Sequence, residues 1–218
     1  MKVVMFGATG MVGQGVLREC LADRDVESVV AVGRRATGVS DPKFREVVTS
    51  DLRDLSPNAA DLAGVDACFF CLGVSSTGMK EVDYRRVTFD ITMAAATAVA
   101  EQNPAAVFVY VSGMGADVTS RTMWARVRGE TENALLATSL DVYVLRPGFI
   151  QSRYGAVSRT RLYRVLYKVF GVLYPVLRRV APKFVSSTEQ IGLAMLGIAK
   201  HGAPAKIMYS DAFNKITP

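Results

Sequence analysis

The residues with the most specific chemistry lie near the start of the chain, in Gly7-Ala8-Thr9-Gly10-Met11-Val12-Gly13. This run follows a short apolar stretch and opens a segment of helical period, so its glycines stand at a strand-to-helix junction. That context gives a glycine motif a mechanism. Gly7 allows the tight turn, Gly10 lets backbone approach a phosphate, and Gly13 lets the helix pack closely on the strand. The free N–H groups of the opening helical turn, carrying a partial positive charge, suit a pyrophosphate. Thr9, Met11 and Val12 are presented beside the glycines. The chemistry predicted is dinucleotide binding.

The next valine-rich run ends in Val32-Gly33-Arg34-Arg35. A site built for a ribose 2′-hydroxyl places Asp or Glu about twenty residues after the glycines. Two arginines stand here instead, and guanidinium groups match a 2′-phosphate in charge and in bidentate geometry. The expected cofactor is NADP(H), with NAD(H) as the alternative and simple solvation as the other reading of the arginines.

Other reactive residue types point nowhere in particular. Cys68 and Cys71 have CxxC spacing inside an apolar run that reads as a strand. Residues three apart on a strand face opposite ways, so the pair cannot converge on a metal. Three cysteines also argue against a disulfide framework. The single histidine, His201, precedes Gly202 near a helix end, where a terminal or solvated role is expected. No metal site is predicted.

The elements that must position these residues alternate regularly. Strands are predicted over Lys2–Phe6, 28–32, Phe44–Val48, 67–72, 106–112 and 142–146, and helices over Met11–Ala22, 81–103 and 121–138. Continuous apolar strands separated by helices imply an α/β fold with a doubly wound parallel sheet covered on both faces. Toward the C-terminus, a helix over 187–200 with Ser186 or Ser187 as N-cap and a short strand over 206–209 are expected. Residues 149–218 should form a small, mainly helical region over the crevice at the strands' carboxyl ends, all within one domain spanning 1–218.

A chain of 218 residues, half of them hydrophobic and a fifth charged, suits one globular domain with a sizeable core. The net charge of +6 comes from scattered basic residues, with one cluster in the C-terminal third and no nucleic-acid-binding motif. No nucleic-acid partner is expected. The opening apolar run is too short for a secretory signal and no stretch is apolar enough to span a bilayer, so a cytoplasmic protein is expected. The basic segment 159–180 could touch an anionic membrane surface, although Pro175 interrupts it as one helix and a packed cover is the simpler reading.

Taken in order, these motifs resemble the atypical short-chain dehydrogenase/reductases, a Rossmann family with the glycine pattern Gly-Ala-Thr-Gly-x-x-Gly. The likeness runs through most of the chain. It implies that Asp51-Leu52 contacts adenine, that Cys71-Leu72-Gly73 lines the cofactor, and that Val111-Ser112-Gly113 carries the catalytic serine. Arg146-Pro147-Gly148 resembles the turn leading into the nicotinamide and substrate region, which brings in Pro147 and Gly148. Val32-Gly33-Arg34-Arg35, Cys71-Leu72-Gly73 and Val127-Arg128-Gly129-Glu130 are most similar to the Tat-interacting-protein branch and its bacterial relatives.

The likeness breaks at the catalytic pair. The family uses a tyrosine to move a proton and a lysine four residues on to tune it and hold the ribose. Here those places hold Trp124 and Arg128. An indole N–H is a donor only and no acid near neutral pH, whereas Arg128 can still bind ribose hydroxyls. Tyr84, Tyr154 and Tyr163 lie in segments that could reach the crevice, but each is better read as a packing or surface residue, and no proton donor is assigned.

Two functions therefore compete. One is an oxidoreductase acting on a small carbonyl or quinone-like compound, since quinones accept hydride without a dedicated tyrosine. The other is a non-catalytic NADP(H) sensor or scaffold for a regulatory partner protein. A nucleotide-sugar epimerase or dehydratase ranks lower, because that chemistry uses the same tyrosine and a larger C-terminal domain.

Overall fold

Burial on two faces dictates the strands. In β1 (Lys2–Phe6), Val3 and Met5 join one apolar core while Val4 and Phe6 join the other. The same alternation runs through the neighbouring strands, and so each reads as an unbroken apolar run. The computed structural model describes residues 1–155 and 179–218. Its strands are β2 (Ser28–Gly33), β3 (Phe44–Val48), β4 (Ala67–Phe70), β5 (Val107–Val111), β6 (Asp141–Arg146), β7 (Phe149–Gln151), β8 (Val185–Ser187) and β9 (Ile207–Tyr209). Seven form one sheet in the order β3-β2-β1-β4-β5-β6-β9, and every pair in it is parallel. This is the Rossmann-like doubly wound sheet. The order reverses beside β1, where such a fold opens its crevice.

The helices are α1 (Met11–Ala22), α2 (Glu81–Arg85), α3 (Ile91–Gln102), α4 (Met123–Leu136), α5 (Thr188–His201) and α6 (Ser210–Phe213). Helices α1 and α5 cross closely on one face, where a methyl group on Gly15 would meet the Thr188 side chain at 2.5 Å. On the other face an aromatic row passes from strand to strand. Phe6 and Phe70 lie 5.4 Å apart, and Phe70 and Phe108 6.0 Å.

Three features depart from the sequence expectation. β4 and β5 stop at Phe70 and Val111, one or two residues early, although Cys71 N–H still donates to Phe6 and Ser112 N–H to Leu145. Beyond Phe6 the chain turns at Gly7, so the ladder has no further partner. The expected single helix over 81–103 is split by a wider turn at Arg86–Asp90. The buried Tyr84, Thr88 and Thr92 recur every four residues, a spacing that drifts about 40° per step on a regular α-helix. A π-type turn reduces that drift and keeps all three inward. The third feature is a separate two-stranded parallel sheet, β7 with β8, which no periodicity announced.

In the C-terminal third, β9 extends the main sheet, α5 packs beneath it on α1, and Ile150 of β7 lines the crevice. Most of the basic segment 159–180, with Tyr163, Arg164, Lys168 and Pro175, lies outside the described residues. Among the described residues, no helix is long and apolar enough to cross a membrane. Phe70 should be the costliest side chain to truncate on this face. Phe70→Ala is expected to lose about 3–5 kcal/mol, read from urea unfolding; a loss below about 1 kcal/mol would contradict the aromatic row as a structural spine.

Candidate functional site

The glycine loop is a cradle made by backbone touching backbone. Gly7 has φ +84° and passes so close to the β4 end that an added methyl would meet Leu72 N at 2.6 Å. A side chain there is excluded both by conformation and by space. A methyl on Gly13 would come within 2.1 Å of the Gly7 carbonyl oxygen, so Gly13 sets the closeness of α1 to the strand. Gly10 is different. A methyl there would meet only the Gly7 oxygen, at 3.3 Å, so its outer side is open.

The caps of α1 and α5 show what this openness is for. Ser187 caps α5 through its hydroxyl, which accepts from Gln190 N–H at 3.1 Å. Gly10 at the N-cap of α1 has no side chain to do this, and the first turn holds no acidic residue. The α1 terminus therefore offers its N–H groups and partial positive charge to the crevice, which suits an anion.

The crevice holds about 830 Å³ and runs across the carboxyl ends of β2, β1, β4 and β5. Gly7, Thr9, Gly10, Met11 and Val12 form its middle. At one end stand Arg34 and Arg35, both exposed, and neither forms an ion pair among the described residues. Thr37 and Glu46 complete that end, with the Glu46 carboxylate taken by Thr37 N–H at 2.6 Å. Leu52 is buried and lines the wall. Asp51 does not. Its carboxylate grips Arg53 at 2.9 and 2.7 Å, and that pairing holds its pKa down at about 2.

The other end is made by Cys71, Leu72, Gly73, Ser112, Arg128 and Ile150. Cys71 belongs with the core of one face and Cys68 with the other, so the two thiols point apart. Burial pushes both thiols' pKa values well up, leaving them as apolar wall and core. Arg128 is the cation of this end. Its Nε donates to the Tyr84 hydroxyl at 3.1 Å and its Nη1 to the Val111 carbonyl at 3.4 Å. Burial works against its charge, but Tyr110, Tyr84 and the nearby Glu132 carboxylate together outweigh that and hold its pKa above the ordinary arginine value. No carboxylate pairs with it among the described residues. A fixed guanidinium beside Gly73 and Gly113 can therefore receive an anionic or hydroxylic oxygen.

Behind Ser112 sits a group that the sequence reading did not single out. Glu132 is 1% exposed, accepts from the Ser112 hydroxyl, and is gripped by Arg146 through Nε at 3.1 Å to both oxygens and through Nη2. Arg146 also donates to the Tyr209 hydroxyl at 3.2 Å. Glu132 lies four residues after Arg128 and three before the buried Leu135, which puts it on the inward face of α4. That spacing was the available signal.

Several expected residues stand elsewhere. The Trp124 ring packs over Gly115, where an added methyl would lie 3.3 Å from it, and it is not part of the crevice wall. Pro147 is buried with its carbonyl accepting from Met114 N–H, and Gly148 makes room for the Phe184 carbonyl. Tyr84 is buried behind Arg128, and Tyr154 is exposed, stacked on Arg18 and bonded to Glu189. No tyrosine lines the crevice among the described residues. The same residues contain no group of three potential metal ligands.

Glu132 and Arg146 are a pair in which neither partner tolerates loss of the other. Arg146→Met should cost about 3 kcal/mol by leaving a buried carboxylate uncompensated. Urea unfolding checks this, and a cost under about 1 kcal/mol would show that Glu132 reaches water.

Comparison with known proteins agrees with this geometry. A family model described as NAD(P)H-binding matches residues 7–167. The mitochondrial protein FMP52 of Eremothecium gossypii is 31% identical over 153 residues, which is 69% of this chain and 66% of that one. HTATIP2 of Rattus norvegicus is 28% identical over 152 residues, covering 68% and 62%. The matched stretch thus spans 66% or less of the length of these relatives. Among solved structures, the dTDP-glucose 4,6-dehydratase DesIV of Streptomyces venezuelae with NAD and TYD bound superposes with TM-score 0.72 at 16% identity, over 96% of this chain and 75% of that one. A short chain dehydrogenase/reductase family oxidoreductase of Burkholderia thailandensis gives 0.69 at 16% identity, over 95% and 89%. These likenesses carry the fold, and the family model reaches from the glycine cradle past β7. The chain belongs to the NAD(P)H-binding family whose model it matches over residues 7–167, and it is similar to FMP52 and HTATIP2.

Proposed function

We propose that this protein is an NADP(H)-dependent oxidoreductase acting on a small carbonyl or quinone-like compound. The observation that carries the cofactor preference is the pair of exposed arginines, Arg34 and Arg35, on the crevice wall with no ion pair among the described residues. The glycine cradle and the uncapped start of α1 would hold the pyrophosphate, and the two guanidiniums would hold a 2′-phosphate. Leu52 and Val32 supply an apolar wall between them.

A bound reduced nicotinamide would supply hydride. The chain's own contribution at that end is Arg128, a buried-side cation fixed by Tyr84 and the Val111 carbonyl. It stabilises negative charge on a substrate oxygen but has no proton to give, since arginine stays charged. Such a site suits a quinone-like acceptor. Uptake of one hydride leaves a hydroquinone anion, which Arg128 stabilises and solvent protonates. Simple ketones, whose alkoxides are far more basic, should react poorly.

A sensor or scaffold role is the second reading. It is favoured by the Trp124 ring turned onto Gly115 and by the absence of any tyrosine from the described crevice wall. Turnover separates the two. NADPH oxidation in the presence of quinones, aldehydes and ketones should be measurable for quinones. Tight NADPH binding with no turnover of any of them would defeat the oxidoreductase reading and leave the sensor.

The preference itself is tested by replacing both Arg34 and Arg35 with Ala. NADPH affinity should fall about 10- to 100-fold, with NADH affinity changing less than about threefold. Equal losses for the two cofactors would contradict the assignment of these side chains to the 2′-phosphate.

A further inference from the structure

The direction of one hydrogen bond sets what Ser112 can offer. Ser112 has a single proton, and its Oγ lies against Glu132 Oε1 in a buried contact. Glu132 also receives Nε and Nη2 of Arg146. A carboxylate gripped by a guanidinium at both oxygens is ionised, and an ionised carboxylate can only accept. The shared proton therefore belongs to Ser112 and points away from the crevice.

We infer that Ser112 faces the crevice as a hydrogen-bond acceptor, fixed in that polarity by Glu132, and that the site recognises a hydroxyl-bearing ligand. Ser112 is among the residues that line the crevice, and no group among the described residues donates to its oxygen. Its lone pairs are the part left for a ligand. Arg128 on the same wall offers only donors. A phenolic or alcoholic hydroxyl satisfies both at once, donating to Ser112 and accepting from Arg128. A carbonyl oxygen can use Arg128 alone. Glu132 is thus a positioning residue that acts through Ser112, and the ligand class is the phenol, hydroquinone or alcohol form of a redox couple. The inference rests on the oxidoreductase reading for its biological meaning. The polarity of Ser112 itself does not depend on it.

The test uses phenol and acetophenone, neither of which can exchange hydride with NADP+, titrated calorimetrically into the protein with and without NADP+. Phenol should bind about tenfold more tightly than acetophenone, the worth of one additional hydrogen bond. Ser112→Ala should bring the two affinities together without loss of fold. Glu132→Gln keeps an oxygen for Arg146 and turns an NH2 toward Ser112, which frees the serine proton for the crevice. In that variant acetophenone should match or exceed phenol. Equal binding or an acetophenone preference in the unaltered protein, no binding of phenol, or a phenol preference that survives Ser112→Ala would each overturn the inference. Failure of NADP+ to bind would count instead against the oxidoreductase reading, and the titrations without NADP+ would still report the polarity of Ser112.

Discussion

The contact between the α1 terminus and the ends of β1 and β4 sets the terms for the rest of the molecule. At Gly7 and Gly13 backbone meets backbone with no room for a methyl group, and that closeness brings an uncapped helix end to the centre of the sheet's carboxyl edge. Everything in the crevice is placed relative to it. β2 carries Arg34 and Arg35 to one side, and β4 and β5 bring Gly73 and Ser112 to the other. An anion at the helix end would have a cationic group on either flank. The fold supplies the first requirement of dinucleotide binding before any side chain takes part.

The Arg128 end of the crevice is organised by a second constraint, the satisfaction of buried charge. Glu132 is inward on α4 and needs Arg146 and Ser112 to be tolerated there. Arg128, one turn earlier, is held by the Tyr84 hydroxyl and the Val111 carbonyl, which leaves its remaining donors for a ligand. The same helix therefore presents a cation to the crevice while turning Trp124 onto Gly115. This end of the crevice thus holds Arg128, a fixed guanidinium, and Ser112, whose hydroxyl donates to Glu132. Under the oxidoreductase function we propose, that arrangement would suit substrates whose reduced oxygen is already a tolerable anion.

Much of this was readable from the residues alone, for physical reasons. Strands buried on both faces announce themselves as continuous runs such as Ala67–Phe70, and the glycines at 7, 10 and 13 have meaning at a strand-helix junction. What escaped reading depends on contacts far apart in the chain. Phe149–Gln151 and Val185–Ser187 are too short to show a period and become strands only by meeting each other. The π-type turn at Arg86–Asp90 follows from which side chains must be buried, not from local propensity. Glu132 looks like an ordinary helix-surface acid until Arg146 comes beside it. Asp51 was expected at the adenine end by resemblance, yet its carboxylate is turned to Arg53 and only Leu52 reaches the wall.

We propose that the crevice takes a dinucleotide bearing a 2′-phosphate. Calorimetric titration of the unaltered protein with NADPH and NADH in the same buffer tests it most directly. NADPH should bind at least about tenfold more tightly, and its advantage should shrink as salt rises, because the arginines are exposed. Equal affinities, or tighter binding of NADH, would contradict it.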